Sequence, residues 1–132
     1  MSPGFRLALA LFCSLAVAPV LAHHSLQARF DVNKLVTLRG LITKVEWGNP
    51  HVYLYLDVNQ ENGTVSKWAL ESLGTGMLRR GGVTKQMLGV GDTVTIVAYH
   101  AKDGLNLAFV RKIKFADGHE VEIWLGDPNQ AK

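Results

Sequence analysis

At 132 residues and 48% apolar content, the chain has enough material for one hydrophobic core and no second. Its formal net charge of +3 is small and scattered, which argues against nucleic acid as a partner. The only cysteine, Cys13, lies in an apolar leader, so no disulfide is expected and stability must come from packing, with a metal as a candidate supplement.

The leader has the parts of an export signal. Arg6 supplies the positive start, Leu7 to Val17 the apolar stretch, and Val20-Leu21-Ala22 a site with a small residue at the cut. Cleavage after Ala22 is expected, giving a periplasmic product whose first residue is His23. Phe12 before Cys13 does not suit a lipobox, and Pro19 breaks the apolar run short of the roughly 20 residues that span a bilayer. No membrane association is expected after cleavage.

The rest divides into an arm over 23–35, a domain over 36–126 and a polar tail over 127–132. In the arm, Phe30 is the only large apolar anchor, and the segment has room for a short helix. From Val36 the β-branched content rises, and Gly40 interrupts the alternation: Val36 and Leu38 share one parity, while Leu41, Val45 and Trp47 share the other. A bulge at Gly40 is the expectation. Gly48-Asn49-Pro50 is turn chemistry, and His51 to Val58 is the clearest strand, with Val52, Leu54, Leu56 and Val58 inward and His51, Tyr53, Tyr55 and Asp57 outward. Asn62-Gly63 reads as a two-residue hairpin turn into Thr64–Glu71, where Trp68 and Leu70 share a face.

The glycine-rich stretch from Leu73 to Gly91 has room for one or two helical turns, with Thr84 a candidate N-cap. Strands are expected over Thr93–His100, Leu107–Phe115 and Glu120–Trp124, separated by turns at Lys102-Asp103-Gly104 and Asp117-Gly118. Three strands, a helical connection, then two or three more strands give an all-β fold. An open meander or sandwich also fits that count, but the bulged first strand and the place of the helical connection favour a five- to six-stranded antiparallel OB-like barrel with its helical connection after the third strand.

With His23-His24-Ser25, Val36-Thr37-Leu38-Arg39-Gly40, Val45-Glu46-Trp47-Gly48-Asn49-Pro50-His51, Leu78-Arg79-Arg80 and Ala101-Lys102-Asp103-Gly104, the chain resembles a family of small exported proteobacterial proteins catalogued as a domain of unknown function. The resemblance implies secretion, one small β domain and no established activity.

Two kinds of site are candidates. A free amine and an imidazole on His23 can chelate one metal ion, since the α-amino proton is displaced at little cost near neutral pH. Completed by a histidine from the sheet, they would form a three-nitrogen copper site similar to that of histidine-brace proteins. His51, directly after the Asn-Pro turn, is the first choice for the third nitrogen and His100 the reserve. Zinc is disfavoured, because neither a cysteine nor a paired-histidine spacing supports a closed tetrahedral site. The other candidate is a metal-free face on which Trp47, Tyr53 and Tyr55 stack a glycan, a peptide or a periplasmic protein. The mature chain shows no nucleophile elbow, nucleophilic cysteine or convergent carboxylate pair, so an enzyme is not expected.

Overall fold

A computed structural model describes residues 26–123. The leader, His23, His24, Trp124 and the tail lie outside the described residues. Six strands run in the order β1 (Phe30–Glu46), β2 (Tyr53–Asn59), β3 (Val65–Glu71), β4 (Thr93–Ala101), β5 (Leu107–Lys114) and β6 (Glu120–Glu122). Helix α1 (Thr75–Arg80) and a 3-10 turn (Lys85–Met87) connect β3 to β4, with Thr84 at the N-cap position of the turn.

Antiparallel pairing orders the sheet β3-β2-β1-β4-β5-β6, and a parallel β3–β5 pairing closes the first five strands into a ring. This is the expected barrel. Closure satisfies backbone groups that an open sheet would leave on its edges. Inside lie Ile42, Leu54, Leu56, Leu70, Ile96 and Ile113, each no more than 1% exposed, while Leu78, Val83 and Leu88 of the connection plug the same core. In β2 the burial alternates residue by residue, because the strand lies on the core with only one face.

The structure corrects the first strand in two respects. It begins at Phe30 rather than Val36, preceded by helical residues 26–29, and Phe30 pairs with Ala101 at the end of β4. The bulge toward β2 lies between Ile42 and Lys44 rather than at Gly40. Leu38, Gly40 and Ile42 therefore keep one inward parity and Leu41 is 43% exposed. Gly40 is present for a different reason. A Cβ there would stand 2.7 Å from the backbone oxygen of Asp57, so only a residue without one lets β2 approach so closely.

The β2–β3 turn also differs from expectation. Gln60 N–H donates to the Thr64 carbonyl and Gly63 N–H to the Gln60 carbonyl, with Gly63 at φ 82°. That is a three-residue loop ending in a left-handed glycine, and it shifts the register by one residue from that of a two-residue turn. Tyr53 consequently faces Glu71 across the hairpin.

Candidate functional site

The entry to β2 is clamped on both sides of His51. Before it, the Asn49 carboxamide oxygen accepts hydrogen bonds from the Thr75 N–H (3.0 Å) and hydroxyl (3.2 Å), tying the turn to the start of α1. After it, Val52 N–H donates to the Leu73 carbonyl at 3.0 Å and Ser72 N–H donates to the Val52 carbonyl at 2.8 Å. The Asn49–Pro50 peptide is cis. Gly74 fits against this loop because a Cβ would come within 2.7 Å of both Asn49 Oδ1 and the Pro50 carbonyl oxygen.

Held in this way, the His51 ring meets Glu71. Nδ1 lies 2.8 Å from Glu71 Oε1, at ion-pair distance but off the line of a hydrogen bond, and it is fully covered. The His51 side chain as a whole is 36% exposed. Among the described residues Nε2 has no hydrogen-bond partner. The other oxygen of Glu71 faces Arg29 at 3.4 Å, and the Arg29 guanidinium carbon lies 5.8 Å from the Phe30 ring centre. Glu71 is thus a nearly buried carboxylate shared by a cation from the entering arm and an imidazole from the barrel.

The same contacts anchor the arm. Leu26 and Phe30 are buried with Ala101 and Phe109 in a second small core, where the Phe30 and Phe109 rings meet edge to face at 5.7 Å. Lys102 N–H donates to the Arg29 carbonyl at 3.0 Å. The arm therefore enters the barrel at the end where Glu71 and His51 stand.

The aromatic residues behave differently from one another. Trp47, Asn49, Pro50, His51 and Tyr53 line a cleft of about 300 Å3 with Glu46, although Trp47 also packs against the main core. Tyr53 is tilted 33° to His51 with ring centres 6.5 Å apart. Burial pushes its phenol above the ordinary tyrosine range and the charge of Glu71 adds to this, against an opposing effect from Arg29. Tyr55 is shifted the same way, by burial first and then by Glu46, whose carboxylate accepts its hydroxyl hydrogen bond at 3.2 Å. The Lys44 ammonium, paired with Glu46, lies 5.1 Å from the Tyr55 ring centre and occupies one face. Tyr55 is therefore committed to its neighbours on at least one face.

His100 stands apart from this group. Its Nε2 contacts the Leu105 carbonyl at 2.9 Å, its Nδ1 is covered, and its ring packs 5.4 Å from Trp68. Among the described residues no three His, Cys, Asp or Glu side chains come together as a metal-holding group. His23, the first of the metal candidates, lies outside the described residues. No helix among the described residues is long and apolar enough to cross a membrane.

A five-stranded ring closed by parallel β3–β5 pairing, with its helix between β3 and β4, defines a protein of the OB-fold class. The chain belongs to a family of unknown function, DUF6152, whose model matches residues 10–109. None of the curated proteins compared with it matches significantly. Similar solved structures include the mitochondrial single-stranded DNA binding protein Rim1 from S. cerevisiae, at 9% identity and TM-score 0.49 over 63% of this chain and 93% of that one. The N-terminal domain of PriB from Thermoanaerobacter tencongensis, solved as a dimer, is similar at 21% identity and TM-score 0.47 over 64% of this chain and 97% of that one. TiaS, solved in complex with a transfer RNA and ATP, is similar at 18% identity and TM-score 0.46 over 65% of this chain and 19% of that one.

The exclusion of nucleic acid drawn from net charge is corrected here. Chains of similar fold include a single-stranded DNA binding protein and one solved with a transfer RNA. What they bind is theirs, but a total of +3 does not remove nucleic acid from consideration, because binding depends on where charges cluster rather than on their sum.

Proposed function

We propose that the processed chain is an exported binding protein, not an enzyme, that holds one Cu(II) ion between His23 and His51. The observation carrying this reading is the Glu71–His51 pair, with Nδ1 against a nearly buried carboxylate and Nε2 without a partner among the described residues. Metal-ligating histidines characteristically place the nitrogen that is not bound to metal against a carboxylate, which fixes ring and tautomer. The entering arm supplies the second half. Leu26 and Arg29 are fixed at the same end of the barrel, and three residues of chain keep the His23 Cα within about 11 Å of the Leu26 Cα. Amine and imidazole from His23 with Nε2 of His51 make a three-nitrogen donor set, which suits copper ahead of other divalent ions.

Glu71→Gln tests the orienting carboxylate. The amide cannot hold the imidazole by charge, so Cu(II) affinity should fall by about 10- to 100-fold with one ion still bound. Isothermal titration calorimetry of the processed chain measures this, and an affinity equal to the parent's would remove the support for His51 as a ligand.

A further inference from the structure

At the far end of β4 and β5 from this site, the sheet register builds a second polar row. Arg39 of β1 pairs with Thr95 of β4, and Thr95 pairs with Lys114 of β5. All three point away from the core, since their neighbours Leu38, Val94, Ile96 and Ile113 are buried. Directly opposed side chains on adjacent strands have Cβ atoms ~5 Å apart, which places the two cations on either side of a hydroxyl. A cleft of about 230 Å3 opens over the row, lined by Arg39, Thr93, Thr95 and Lys114 and bordered by the Phe115–Gly118 hairpin.

The carboxylates that flank this cleft in the sheet register and in its bordering loops have partners of their own. Glu120, opposite Lys114 on β6, pairs with Lys112 at 3.1 Å. Asp117 of the hairpin is bonded by the backbone N–H and ring of His119, which holds its carboxyl below the usual range. Asp57, beyond Leu41, pairs with Lys67 at 3.1 Å, and Asp92 accepts the Gly89 N–H at 3.2 Å. Among the described residues, neither Arg39 nor Lys114 has an acidic partner.

Two cations facing one cleft repel unless an anion lies between them. The donor set is a forked guanidinium, a point-charge ammonium and two hydroxyls that can rotate to donate, which is complementary to a tetrahedral oxyanion. We propose that this cleft binds the phosphate group of a small molecule, with Arg39 gripping two oxygens, Lys114 supplying the second charge and Thr93 and Thr95 donating to the remainder. The volume is below the ~300–1,000 Å3 of pockets that enclose whole drug-sized ligands, so it suits one phosphate and the atom that carries it.

The test is a titration of the isotope-labelled processed chain with inorganic phosphate, followed by amide NMR at ionic strength held constant with chloride. Saturable shifts confined to Arg39, Thr93, Thr95, Lys114 and the adjoining hairpin are expected. Arg39→Gln and Lys114→Gln should each weaken binding about fivefold, the upper end for an exposed charge pair, while Arg79→Gln leaves it unchanged. Shifts that do not saturate, or that spread equally over the basic residues of α1, would overturn the proposal. So would an unaltered affinity in Arg39→Gln, which as an exposed strand substitution leaves the fold intact.

Discussion

Removing the His51 imidazole as His51→Ala is expected to weaken Cu(II) binding by the processed chain at least about 100-fold, since losing a ligand costs no less than losing its orienting partner. The ring is only partly packed. It is 36% exposed, and Glu71 keeps its contact with Arg29 when the ring is gone. Stability from urea unfolding should therefore fall by no more than about 1 kcal/mol. Loss of binding with unchanged folding is the signature of a ligand. Loss of both would show instead that His51 holds the β2 entry in place.

The second large effect is structural and lies at Gly74. Alanine there brings a methyl within 2.7 Å of Asn49 Oδ1 and of the Pro50 carbonyl oxygen, and neither yields easily: Asn49 is fixed by two hydrogen bonds from Thr75, and the carbonyl belongs to the backbone. Overpacking of this kind costs about 1–3 kcal/mol. Gly74→Ala should lower stability by that amount in urea unfolding and weaken copper binding along with it, because the loop that must give way carries His51. Gly76, two residues on, is the control. A Cβ there meets nothing within 4 Å, and the position is inside α1, so Gly76→Ala should be neutral or stabilising by up to about 1 kcal/mol. A Gly74→Ala chain as stable as the parent would show that the clamp is softer than its distances imply.

These expectations depend on features that the sequence discloses unevenly. Alternation from Val52 to Val58 defines the central strand and its two faces without ambiguity, because a strand lying on a core with one face must alternate. The same logic misleads at Gly40, where an interrupted pattern looks like a bulge. In the fold that glycine marks a close approach of two strands, and the true register shift follows Ile42. A pattern of residue types does not distinguish the two causes, since both call for a missing side chain or a broken period.

The candidate site is legible in part. His51 can be singled out from its place after the Asn49-Pro50 turn on the outward parity, but its carboxylate partner cannot. A two-residue turn at Asn62-Gly63 would put Ser72 opposite Tyr53. The three-residue loop that forms moves Glu71 into that position and so beside His51. Arg29 is hidden for another reason. Its contact with Glu71 spans 42 residues and arises because Leu26 and Phe30 find a small core of their own with Ala101 and Phe109, and no local period announces such a cluster. Asn49 reads as a turn residue, but its cap on Thr75 depends on where α1 begins.

If export processing completes a copper site, the free amine of His23 must be one of its ligands. Electron paramagnetic resonance of one equivalent of Cu(II) is recorded on the chain beginning at His23 and on the same chain with that α-amino group acetylated. An axial signal with nitrogen hyperfine structure is expected in the first and its loss in the second, because the amine is then an amide and the chelate is broken. Identical spectra and equal copper affinity in the two chains would contradict it.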